Sequence, residues 1–124
     1  MLNESKVVAF VATSKPDSAK SFYEQTLGLS LITDDAFAIV FDANGVMLRV
    51  QKVKEHTAPN YTALGWDVAD IDASVKELLS RGVRCERYEW LKQDELGIWI
   101  SPSGGKIAWF KDPDGNILSL TQFP

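Results

Sequence analysis

Few side chains in this sequence could do chemistry. In 124 residues there is one imidazole, His56, one thiol, Cys85, and four indoles, Trp66, Trp90, Trp99 and Trp109. His56 stands in a polar stretch beside Glu55 and near Pro59. An imidazole carried there by a loop could act as a general base or a ligand, but the expected role is that of a surface linker histidine. Cys85 lies between Arg84 and Glu86. A guanidinium favours a thiolate, yet no helix start or histidine adjoins it, so a structural thiol is expected. Tyr61, Tyr88, Glu89 and Glu95 are acid–base groups by type, and no spacing pairs them. Gly104-Gly105-Lys106 lacks the frame of a phosphate loop and reads as a hairpin turn. The indoles carry the strongest signal. Aromatic walls suit a flat or hydrophobic ligand, although core packing and chain-to-chain contact use the same residues. Trp90 and Trp99 bracket residues 91–97, a lid-like loop in which Asp94 and Glu95 could meet a cationic ligand.

The elements that must position these groups follow from periodicity and punctuation. Residues 7–12 are a short apolar run that suits a buried strand. Pro16 fits the first position of a helix over 17–27, where Ala19, Phe22, Tyr23 and Leu27 fall at helical spacing and Gly28 ends the run. Strands are predicted at 29–32 and 36–41, then across the Asn44-Gly45 turn at 46–53. A polar connector over about 54–60 follows. Beyond it come a strand at 61–68 and a helix at 71–79, with Asp70 as cap and Gly82 as stop. Further strands are expected at 83–88, 95–101, 106–110 and 116–122.

The halves repeat. Asp42-Ala43-Asn44-Gly45-Val46-Met47-Leu48 sits over Asp112-Pro113-Asp114-Gly115-Asn116-Ile117-Leu118, with Asp, Gly and Leu recurring at an offset of 70, while the first strands and helices match near an offset of 55. The chain is therefore read as α+β: two tandem βαβββ units forming a curved mixed sheet around a central cavity. Unit one covers about 1–55 and unit two about 61–124 of a single domain over 1–124.

Composition narrows the function. A net charge of −4 with no basic stripe disfavours nucleic acid. No apolar run approaches the ~18 residues that span a bilayer, and the start lacks the pattern of a signal peptide. With one cysteine there is no intrachain disulfide. A cytoplasmic protein without membrane or nucleic-acid partners is expected.

Two stretches carry a family resemblance. Ser21-Phe22-Tyr23-Glu24-Gln25-Thr26-Leu27-Gly28-Leu29 resembles the "FY…LG" helix end of the vicinal oxygen chelate superfamily of glyoxalases, extradiol dioxygenases and bleomycin resistance proteins. Phe110-Lys111-Asp112-Pro113-Asp114-Gly115-Asn116-Ile117-Leu118-Ser119-Leu120 resembles its "F-x-DPDGN-x-x-E-L". The resemblance implies four inward positions, two on first strands and two on last strands, where metal-using members carry His, Glu or Gln. Ser119 replaces the final Glu, the repeat places its partner at Arg49, and counting back from the helices gives Val8 and Ala63. None offers a carboxylate or imidazole, and a guanidinium repels cations. No metal and no cofactor are expected. Arg49 would instead face the cavity, paired internally or holding an anionic group through its fork. The resemblance thus implies a metal-free protein that binds a small organic molecule, with Arg49, Trp66, Trp90, Trp99, Trp109 and Ser119 as cavity candidates, and a homodimer. The alternative is a lyase, isomerase or dioxygenase of the same superfamily, with Arg49 as an oxyanion partner.

Overall fold

A computed structural model describes all residues, Met1–Pro124. The chain divides into two compact units, Met1–Ala58 and Pro59–Pro124, and the boundary falls within the expected connector.

In the first unit, β1 (Val8–Thr13) leads into α1 (Pro16–Ser21), with Pro16 opening the helix as anticipated. The chain then widens into a π-helical turn over Phe22–Thr26, and Gly28 stops it with φ of 76°. β2 (Ser30–Asp34), β3 (Ala38–Ala43) and β4 (Val46–Lys52) complete a four-stranded sheet in the order β1-β4-β3-β2. Asn44 and Gly45, at φ of 51° and 90°, make the two-residue turn that matches strand twist. Asp42 Oδ1 accepts from Gly45 N at 3.0 Å and closes the turn. Ile39, Phe41, Leu48 and Val50 are fully buried. The Tyr23 ring lies 5.9 Å from that of Phe41, so this is the face the helix covers.

The second unit repeats the plan with β5 (Thr62–Asp67), α2 (Ile71–Ser80), β6 (Trp99–Ile100), β7 (Lys106–Lys111) and β8 (Ile117–Gln122), ordered β5-β8-β7-β6. Asp70 caps α2 by accepting from Ala73 N at 3.1 Å. Gly82 ends it in the left-handed region, with Val83 N donating to Leu78 O at 2.9 Å. Ala108, Phe110, Leu118 and Leu120 are buried on one face of the sheet, and Ile71, Val75 and Leu78 are the buried face of α2.

The α+β class and the two βαβββ units agree with the sequence reading, and their strands hydrogen-bond as two four-stranded mixed sheets. Two strands depart from it. Residues 83–88 form no strand: a bond from Glu86 N to Trp109 O at 2.7 Å fastens the segment, and no ladder follows. The strand expected at 95–101 shrinks to Trp99–Ile100, because the preceding residues bond among themselves.

The Asp112 turn joins β7 to β8. Asp112 is buried; its Oδ1 accepts from Asp114 N at 3.0 Å and Asn116 N at 2.9 Å, and its Oδ2 accepts from Asn116 Nδ2 at 2.8 Å. Asp112→Ala strands these donors and should destabilise the fold by roughly 2–3 kcal/mol, whereas Asp112→Asn keeps an acceptor and should lose less. Urea unfolding of both variants checks the order, and equal losses would refute it.

At the edge of the first sheet, Asp34 accepts from Lys52 Nζ at 2.6 Å and pairs with Lys20 at 3.3 Å. The Lys52 hydrogen bond chiefly holds its carboxyl below the usual 3.8. The Phe37 and Ala38 amides do the same for Asp35. A carboxyl depressed by folding stabilises the native state above its unfolded value, and that contribution disappears as pH falls through the folded value. Asp34→Asn should therefore flatten the loss of stability below about pH 4 and cost little at neutral pH, the pair being exposed. Thermal melts across the acid range would show an unaltered slope if Asp34 did not contribute.

Candidate ligand-binding site

Strand pairing decides which side chains share a face, because successive residues point to opposite sides. In the first unit, Arg49 pairs with Phe10 on β1 and Val40 on β3. In the second, Ser119 pairs with Gly65 on β5 and Trp109 on β7. Arg49 and Ser119 are thus equivalent, as the repeat implied, and both sit on the face opposite the one their helix covers. The first-strand partners are Phe10 and Gly65, two residues beyond Val8 and Ala63. Val8 shares the face of Phe10, whereas Ala63 falls at the irregularity between Thr62 and Leu64, where the pairing skips a residue. Gly65 leaves room here: a Cβ on it would stand 2.5 Å from Ser119 Oγ.

The donors present do not fit a divalent ion. Phe10 and Gly65 have no ligating atom, Arg49 is a permanent cation and Ser119 is a lone hydroxyl. No group of three or more His, Cys, Asp or Glu side chains is placed to hold a metal.

Aromatic rings dominate the open face of the second sheet. Trp99 and Trp109 lie 6.1 Å apart between centroids. Tyr88 meets Trp109 edge-on at 5.6 Å and 82°, and Trp90 lies 5.0 Å beyond Tyr88. A hollow of about 230 Å³ opens beside this series, walled by Tyr61, Tyr88, Trp90 and Trp109. Ile117 and Leu91 add aliphatic surface, Asn60 and Thr62 add polar atoms, and no lining side chain carries a charge. Burial pushes the Tyr88 phenol up, with Glu86 acting in the same direction and Lys111 opposing, so Tyr88 meets a ligand as a neutral group.

The segment that presents Tyr88 and Trp90 is tied down. Gln93 Nε2 donates to Glu86 O at 2.9 Å and Gly97 O at 2.8 Å, while its Oε1 accepts from Tyr88 N at 2.8 Å. Arg87 donates to the carbonyls of Asp94 and Glu95 at 2.8 and 2.6 Å. Asp94 Oδ1 accepts from Leu96 N and Ile98 N, both at 2.9 Å. These bonds tie residues 86–98 to one another and fix where the backbone of Tyr88 lies.

The candidates from sequence are distributed unevenly. Trp90 and Trp109 line the hollow, Trp99 contacts Trp109, and Ser119 stands directly across from Trp109. Trp66 does not join them; it stacks on Phe110 at 6.4 Å, on the helix-covered face. Arg49 belongs to the first unit, half-buried. It forms no ion pair, and Asp35 is the carboxyl whose titration it influences. His56 sits in the connector, partly covered. Cys85 is partly covered too, and burial pushes its thiol up, with Arg87 opposing, as a structural thiol requires. Sequence reasoning missed Phe10, Gly65 and Gln93. The alternation pointed to the first two, while nothing local marks Gln93.

Two βαβββ units, each with its first and last strands paired in parallel, define a paired-βαβββ protein. Residues 6–120 match the Glyoxalase/Bleomycin resistance protein/Dioxygenase superfamily, and the chain belongs to that family. It is 35% identical over 81 residues to an uncharacterized protein of Mycolicibacterium smegmatis, covering 64% of this chain and 68% of that one. Among solved structures it is similar to a bleomycin-binding protein complexed with bleomycin, at 20% identity and a TM-score of 0.75 over 97% and 99% of the two chains. It also resembles a lactoylglutathione lyase from Agrobacterium tumefaciens, at 18% and 0.70 over 95% and 93%. At these identities the two likenesses show the shared fold.

Gln93→Ala removes all three side-chain bonds and should destabilise the protein by roughly 1–3 kcal/mol. It should also shift the indole N–H resonances of Trp90 and Trp109 while leaving that of Trp66 in place. A spectrum in which all four indoles stay put would show that Gln93 does not position the wall.

Proposed function

We propose that this chain is a small-molecule-binding member of its family that takes an organic ligand against the open face of its second sheet without a metal. The aromatic hollow carries the proposal. Exposed rings beside a neutral, self-bonded wall form a preformed recognition surface that offers stacking and apolar contact. The bleomycin-binding relative supports small-molecule binding as a use of this fold. The donor set supports independence from metal. A homodimer in the cytoplasm belongs to the same reading. Val8, Phe10 and Met47 are exposed by 41%, 57% and 41% on the Arg49 side of the first sheet, and such apolar surface suits a second copy; light scattering decides it.

Arg49 favours a second reading, an enzyme of the family. A half-buried guanidinium without an ion-paired partner suits a developing oxyanion. That reading requires turnover that Arg49→Ala abolishes while folding survives.

Zn²⁺, Ni²⁺ or Mn²⁺ added to the protein should leave Tm unchanged, because ligands that bind only the folded state raise it and these donors hold no ion. A stoichiometric rise of several degrees with any of the three would defeat the metal-free reading.

A further inference from the structure

The hollow has a chemical preference of its own. Its walls are the rings of Tyr61, Tyr88, Trp90 and Trp109, and no lysine or arginine lines it. The Tyr88 and Trp109 planes meet at 82°, edge against face, so the two rings stand at right angles beside the hollow. Trp90 and Tyr61 are 78% and 70% exposed, so the hollow is open rather than enclosed. At about 230 Å³ it is smaller than the ~300–1,000 Å³ of drug-sized sites. An open, small hollow removes too little apolar surface from water to hold a neutral hydrocarbon firmly. Aromatic faces carry negative potential and attract a diffuse cation, indole most strongly.

The surrounding charges point the same way. Between Glu86 and Glu95 the chain carries four acids, Glu86, Glu89, Asp94 and Glu95, against two bases, Arg87 and Lys92, and with the Lys111 that pairs with Glu86 the balance is one net negative charge. The Arg87 guanidinium is spent on the carbonyls of Asp94 and Glu95. The Lys111 ammonium is spent on Glu86 at 3.2 Å. The hollow offers no charged donor to an anion. A compact inorganic ion would have to shed tightly held water for which uncharged walls give no compensation. A methylated ammonium is weakly hydrated and presents apolar methyl groups to the rings.

From this juxtaposition we infer that the hollow is an aromatic cage for a small organic cation with a methylated ammonium centre. The inference rests on the proposal that the hollow is the ligand site, and it names the class of ligand.

Choline and its uncharged carbon isostere 3,3-dimethylbutan-1-ol separate the two ideas, since they share shape and differ in charge. Each is titrated into the full chain while the four indole N–H resonances are followed. Choline should shift Trp90 and Trp109 and bind roughly 3- to 30-fold more tightly than the isostere. Trp90→Leu should remove most of that preference and Trp90→Phe should retain part of it; Trp90 is exposed, so both variants should fold. Equal or tighter binding of the isostere at Trp90 and Trp109 overturns the cation inference and leaves the hollow a ligand site. Binding of neither compound overturns both. A choline preference untouched by Trp90→Leu places the cation elsewhere and overturns the cage.

Discussion

The structure depends on the parallel pairing of each unit's first strand with its last. Phe10 meets Arg49, 39 positions on, and Gly65 meets Ser119, 54 positions on. Once such a rung forms, parity does the rest. Leu48 and Val50 must turn to the helix side if Arg49 turns away, and Leu118 and Leu120 must do so if Ser119 turns away. The observed burial follows this alternation. A slip of β8 by one residue would turn Leu118 and Leu120 to the open face and Ser119 to the helix side, which is why the pairing is specified by the buried pattern.

Parity also explains why the aromatic wall is possible. Residues 83–88 have the composition of a strand, and in a ladder their side chains would alternate strictly. Their single backbone bond to Trp109 frees Tyr88 from that alternation, and Gln93 supplies the anchors a neighbouring strand would have supplied. One side chain thus substitutes for a ladder, and the result is a bend that brings Tyr88 against both Trp90 and Trp109.

Turns were the most legible part of the sequence, because their chemistry is local. Asn44-Gly45, Gly28, Gly82 and the Asp70 cap each act within four residues and fall where expected. Rungs were less legible: alternation cannot distinguish Val8 from Phe10, which share a face, and no local signal marks the irregularity at Ala63 that shifts the register before Gly65. Trp66 was misplaced for a related reason. Residue type suggested a cavity wall, yet the repeat held the answer, because an offset of 55 maps Trp66 onto the buried Val11 of the helix-covered face. Gln93 left no trace, because its role arises from three backbone groups that only the folded loop brings together.

The two units have used one plan for different surfaces. In the first, the rung bears a phenyl ring and a guanidinium, so both strands carry bulk on the open face, and Val40 beside them is buried. In the second, the equivalent rung bears a hydrogen atom and a hydroxymethyl, and the bulk moves one strand over to Trp109. On this face β5 is bare at the rung and β7 carries an indole, while the hollow lies toward the Thr62 and Ile117 end of the same strands. The bareness of Gly65 and the size of Trp109 therefore belong to one arrangement. Filling the first should alter the second even though the sheet beneath stays the same, because a Cβ at Gly65 would reach Ser119 Oγ at 2.5 Å and displace a side chain that stands directly across from the indole.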